Sequence, residues 1–155
     1  MTITREQALP MAVDPMSSTF AERIVLSEPA RLLVGNWLRD RGHTVLIPHL
    51  SMSGPDVGDL LVIRSGANCI DVVEVKHISR SFTSRETWPF KDFIVDAKRS
   101  YDEKRVKPYA YICLSHDNAA VAMHLCVPDR WRVEDRKGRE YYVAALDDVI
   151  FMALR

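Results

Sequence analysis

Residues 54–76 read GPDVGDLLVIRSGANCIDVVEVK. Two β-rich runs, DLLVIR and CIDVVEVK, flank the turn formers Ser65, Gly66, Ala67 and Asn68, which predicts a β-hairpin. The second run is mostly apolar and reads as buried, yet Glu74 and Lys76 stand at its end. An ion is costly to bury unless it is paired or bound to a metal. Side chains alternate along a strand, so Glu74 and Lys76 share a face and Val75 points away. With the turn centred between Gly66 and Ala67, Asp59 falls directly opposite Glu74. Opposed cross-strand residues have Cβ atoms about 4.5–5.5 Å apart. Two carboxylates that close repel, which raises one pKa, and a hard divalent cation with oxygen ligands removes the penalty. A slip of one residue would turn Asp59 to the wrong face.

Working outward, Thr19 and Glu22 have the spacing of a capping box ahead of a helical pattern that runs to Arg41 and stops at Gly42. Leu26, Ala30, Leu33, Val34 and Trp37 share one face of it. Pro29 leaves two readings open, one kinked helix or two, the second capped by Ser27. Residues 43–48 (HTVLIP) read as a short strand and 51–58 (SMSGPDVG) as a loop rich in turn formers. Phe90 to Lys104 reads as a helix with Phe90, Phe93, Ile94, Ala97 and Tyr101 on one face. PYAYICLS and AVAMHLCVP read as strands, RVEDRKGREYYV as a hairpin turning at Lys137-Gly138, and Asp147 or Asp148 as the cap of a final short helix through Ala153. The expectation is an α/β fold with a mixed central sheet flanked by helices. Residues 1–17 read as a loose arm and 18–155 as a single domain.

The pattern GPDVGDLLV, a short turn and VVEVK resembles the PD-(D/E)XK nuclease superfamily, which includes restriction-endonuclease-like and resolvase-like enzymes. Asp59 matches the first acidic position, and Glu74-Val75-Lys76 matches the ExK element. The resemblance spans roughly residues 21–115 and implies an αβββαβ core. It also implies a metal-dependent endonuclease acting on DNA. Asp59, Glu74 and the Val75 carbonyl would hold Mg²⁺ or Mn²⁺, and Lys76 would orient water or stabilise the phosphate. Pro55-Asp56 spells the literal "PD". The hairpin register places Asp56 beyond Glu74, so Asp59 is preferred and Asp56 is held in reserve. Many members add an acid from the first helix, for which Glu22 and Glu28 are both candidates. Stand-alone nucleases of this size resemble those carried by phages and mobile elements.

The 155 residues carry 21 basic and 21 acidic side chains, which argues against a protein that coats DNA. Charge is uneven, however: residues 76–107 hold nine Lys/Arg against five Asp/Glu. Arg80 and Arg85 in the loop after the hairpin, and Lys98 and Arg99 beyond it, are the candidate phosphate contacts. A homodimer is expected, because a small nuclease cuts both strands most readily as a symmetric pair. Cys69, Cys113 and Cys126 form no CxxC pair and read as buried thiols. No apolar run reaches bilayer length and residues 1–16 lack a leader pattern, so a cytoplasmic protein without membrane association is expected. Glycine-rich nucleotide loops, HExxH and a nucleophile elbow are absent from the sequence. The competing reading is a catalytically inactive nuclease-fold module that binds nucleic acid or regulates, with Asp59 ending a loop and Glu74 and Lys76 a same-face pair.

Overall fold

The hairpin forms in the predicted register. In the computed structural model, which describes residues 20–48 and 58–155, strand β2 (Leu60–Ile63) pairs antiparallel with β3 (Ile70–His77). Leu60 lies opposite Val73 and Ile63 opposite Ile70. Gly66, at φ +78°, supplies the turn. The loose arm expected over residues 1–17, the Thr19 cap and Asp56 lie outside the described residues.

Helix α1 (Phe20–Asp40) is continuous, with Pro29 inside it. Ala30, Val34, Trp37 and Leu38 are buried, whereas Leu33, expected on this face, is exposed. The helix ends on Gly42 at φ +86°, with Gly42 N–H donating to Arg39 O and His43 N–H to Leu38 O. This pair of bonds satisfies the last carbonyls, and glycine adopts its backbone conformation without steric cost.

Strand β1 (Thr44–Leu46) pairs with β2, which completes an antiparallel β1-β2-β3 meander. The chain then crosses over through β4 (Phe93–Ala97) and the short α2 (Lys98–Glu103) to β5 (Ala110–Leu114), which lies parallel to β3. Strands β6 (Ala120–Leu125) and β9 (Val149–Ala153) extend the sheet to the order β1-β2-β3-β5-β6-β9. A second sheet, β4-β8-β7, contains β7 (Arg132–Arg136) and β8 (Arg139–Ala144). Their hairpin turns at Lys137 (φ +56°) and Gly138 (φ +80°), the two positive-φ positions of a tight β-turn whose twist matches the strands. The protein is thus α/β with a mixed six-stranded sheet. One face is packed by α1 through Val34, Trp37, Leu60, Val73, Val75 and Ile112. The opposite face is packed by the small sheet, through Phe93, Val95, Tyr111, Cys113, Ala122 and Ala144.

Three expectations need correction. The stretch predicted as one helix over Phe90–Lys104 divides into β4 and α2. Phe93, Val95 and Ala97 are all buried, a period of two that only a strand supplies, and Phe90 is exposed. The predicted final helix is a 3₁₀ turn, Leu146–Asp148, followed by β9, where Val-Ile-Phe favours pairing with β6. Cys69 is exposed, while Cys113 and Cys126 are buried and half-buried. Burial pushes the Cys113 thiol up to about 11 and Cys126 up to about 12, so both stay neutral. Among the described residues no helix is long and apolar enough to cross a membrane.

Candidate active site

β2 begins at Leu60, opposite Val73, so β3 runs on past it and Asp59 reaches the edge of β3 beyond. There the Asp59 carboxylate accepts the Val75 N–H at 2.8 Å. In an antiparallel ladder the N–H and C=O of one residue face the same edge, so the Val75 carbonyl is directed to this side as well. Gly58 makes the approach possible. It has φ +69°, and a Cβ there would lie 2.2 Å from Val72 Cγ1 and 3.8 Å from Glu74 Oε1. Gly58→Ala is expected to destabilise the protein by about 2 kcal/mol, through backbone strain and the clash with Val72. Chemical denaturation measures this, and a change within about 0.5 kcal/mol, the size of an ordinary surface substitution, would contradict the close approach.

Glu74 meets Asp59 as the register requires. Its side chain is 17% exposed. Burial, and then the neighbouring Asp59 charge, push its carboxyl up to about 7, against the opposing pull of the Lys104 ammonium. Lys104 Nζ stands 3.1 Å from Glu74 Oε1 and 3.9 Å from Asp96 Oδ2. Asp96 Oδ2 also accepts the Tyr111 hydroxyl at 2.7 Å. Burial raises the pKa of that hydroxyl well above the usual tyrosine value, so it remains a neutral donor. Lys76 lies on the Glu74 face, as alternation predicts, but its ammonium donates to the Val95 carbonyl on β4 and sits 5.0 Å from the centre of the Tyr111 ring.

From the other layer, α1 contributes Arg31, which is 2% exposed. Its guanidinium donates to Asp59 O (3.1 Å), Pro48 O (2.6 Å) and Glu28 Oε2 (2.7 Å), and Nε lies 3.9 Å from Asp59 Oδ1. Glu28, one of two candidate helix acids, is therefore taken up by Arg31. The side chain of Glu22, the other, lies outside the described residues.

Two carboxylates in contact, one pushed up by burial and by the other's charge, form a donor set that suits a hard divalent cation. Among the described residues no three His, Cys, Asp or Glu side chains converge on one metal position. A cation here would rest on Asp59, Glu74 and the Val75 carbonyl, with water completing its shell. That is the sparse protein ligation typical of Mg²⁺.

The four candidate phosphate contacts lie on two elements. Arg80 is exposed in the loop after β3. Arg85 in the same loop pairs with Asp147 at 2.5 Å. On α2, Lys98 pairs with Asp102 and Arg99 with Glu103, both at 2.7 Å. Trp88 anchors the loop by packing on Phe82 and Phe93. His124 is buried: its Nε2 accepts the Trp131 indole N–H at 2.8 Å, while Nδ1 lies 3.0 Å from Asp148 O. Both ring nitrogens are thus used in holding the fold.

The sequence reading had missed Arg31, Asp96, Lys104 and Tyr111. A faint signal existed for two of them, an arginine beside Ala30 in the apolar stripe of α1 and an aspartate inside the apolar run FIVDA. Comparison with family models, with curated proteins and with solved structures finds no match to this chain.

Proposed function

We propose that this chain is a metal-dependent endonuclease that hydrolyses phosphodiester bonds in DNA, built on a restriction-endonuclease-like core. The observation that carries the reading is the contact between Asp59 and Glu74 at the end of the β2-β3 hairpin, with Lys76 two residues further along the same face. The order of elements supports it: a helix, a three-stranded meander, a crossover containing a helix, and a strand parallel to the third.

In this reading Asp59, Glu74 and the Val75 carbonyl hold Mg²⁺ or Mn²⁺. The bound ion supplies Lewis-acid charge and a water of lowered pKa. The Val75 N–H and the Arg31 contact with the Asp59 carbonyl fix the orientation of Asp59. Lys76 exchanges the Val95 carbonyl for a phosphate oxygen and stabilises the charge that builds there. Arg80, Arg85, Lys98 and Arg99 contact the flanking backbone, and a homodimer presents two such sites to a duplex. The test is cleavage of labelled single-stranded, duplex, flap and four-way-junction DNA with Mg²⁺ or Mn²⁺, beside Lys76→Ala. Cutting that needs both the metal and Lys76 supports the enzyme. Metal-loaded wild type that cuts no form overturns it.

The second reading is a non-catalytic nucleic-acid-binding or regulatory module. The observation in its favour is that Glu74 and Lys76 already have partners within the fold, Lys104 and the Val95 carbonyl.

The shift at Glu74 has a signed consequence for the metal-free protein. Its carboxyl ordinarily titrates at 4.5 and here titrates at about 7. Between those values the folded protein keeps a proton that the unfolded chain has lost. The stability that Glu74 contributes is therefore fully present below 4.5 and fades as pH rises through 7. Denaturant unfolding across this window should show wild type losing stability relative to Glu74→Gln. A difference that does not change with pH would contradict the shift.

A further inference from the structure

The cation that the structure places against Glu74 is the chain's own. Lys104 follows α2 directly, and its side chain is only 14% exposed. Its backbone N–H is tied to Tyr101 O, so the stem is anchored while four carbons leave the ammonium free to swing. Nζ reaches Glu74 Oε1 at 3.1 Å and has a second carboxylate, Asp96, at 3.9 Å.

Asp96 is held in place. Its Oδ1 accepts the Ala97 N–H at 2.8 Å, and its Oδ2 takes the Tyr111 hydroxyl at 2.7 Å with Ser100 Oγ at 3.5 Å. A divalent cation coordinated by Glu74 would lie within a few ångströms of this ammonium, where like charges repel strongly in a half-buried setting. The two cations therefore compete for one carboxylate, and a fixed second carboxylate stands beside the one that would be displaced.

We infer that Lys104 is an exchangeable internal counter-cation, which neutralises Glu74 in the metal-free protein and moves onto Asp96 when a divalent cation occupies the Asp59–Glu74 pair. The inference rests on the reading of that pair as a metal site. It assigns Lys104 control over metal loading, a role separate from that of Lys76 toward phosphate.

The test is calorimetric titration of Mn²⁺ into the full chain, without DNA, for wild type, Lys104→Met, Asp96→Asn and the double variant. Thermal melts verify that each is folded, and Lys104→Gln repeats the first substitution with a polar side chain. Lys104→Met is expected to bind Mn²⁺ roughly tenfold more tightly than wild type, and Asp96→Asn roughly tenfold more weakly, because the displaced ammonium has lost its destination. The double variant should behave as Lys104→Met, since without the ammonium Asp96 has nothing to receive. Unchanged or weaker binding in both Lys104 variants, beside a wild type that binds, overturns the exchange and leaves the metal site standing. Additive effects in the double variant also overturn it, by reducing both residues to independent charges. Failure of all the proteins to bind Mn²⁺ removes the metal site itself, and the exchange with it.

Discussion

Asp59→Ala is expected to lower the proposed metal-dependent DNA cleavage by roughly a thousandfold, the upper end of what losing one electrostatic stabiliser costs. The reason is positional. Among the described residues Asp59 is one of two carboxylates in the donor set, and its partner Glu74 is already weakened as a ligand by burial. Loss of Asp59 removes the repulsion that makes a cation welcome and leaves a single carboxylate already paired with Lys104. Alanine also leaves the Val75 N–H without the acceptor it now has. Asp59→Asn separates the two effects: the amide oxygen can still accept that N–H, while the charge is gone. Both variants should be inactive in a gel-based cleavage assay, and only alanine should lose measurable stability. Full activity in Asp59→Asn would show that the carboxylate has no part in the chemistry.

Arg31→Met should destabilise the protein by about 3 kcal/mol, as expected when one partner of a buried ionic network is deleted. For a chain of this length that is a fall in melting temperature of roughly 10 °C. The methionine approximates the apolar stem, so the loss reports on the guanidinium. That group joins three stretches: Glu28 on α1, the Pro48 carbonyl after β1 and the Asp59 carbonyl before β2. The Pro48 and Asp59 carbonyls would each lose a donor, whereas the half-exposed Glu28 carboxylate can turn to water. Arg31→Lys should recover little, because one ammonium cannot reproduce a planar fork that serves three acceptors. Differential scanning calorimetry checks both variants. A change below about 1 kcal/mol for Arg31→Met would mean that solvent replaces the clamp without difficulty.

The hairpin was legible because two local signals agreed. The SGAN turn set the centre, and the β-rich runs DLLVIR and CIDVVEVK flank it at equal distance. The Lys137-Gly138 turn was legible for the same reason. β4 was not, and the cause lies in its spacing. Phe93, Ala97 and Tyr101 recur every four residues, which satisfies a helix face and also every second position of a strand. Val95 discriminates, since it would point away from that face on a helix but is buried in the strand. Its burial depends on a partner, β8, that lies some fifty residues further along the chain.

The candidate site divides along the same line. Asp59, Glu74 and Lys76 belong to one hairpin and could be placed by counting. Lys104 reaches Glu74, with Asp96 beside the ammonium, because the crossover through β4 and α2 packs across β3 and β5, a tertiary arrangement without local signature. Arg31 resembles an ordinary exposed helix arginine until the Pro48 and Asp59 carbonyls, distant in sequence, are found as its acceptors. The partner of the Lys76 ammonium was hidden for a related reason. The Val95 carbonyl, on a strand that was not foreseen, draws Lys76 away and leaves Lys104 nearest to Glu74.

Titration of Mn²⁺ into the wild-type protein, followed by calorimetry above pH 7 where Glu74 is ionised, tests most directly whether Asp59 and Glu74 form a metal site. Saturable binding of a single ion, lost in Asp59→Ala, is the predicted result. Absence of binding at saturating metal, or binding unaffected by loss of Asp59, would contradict it.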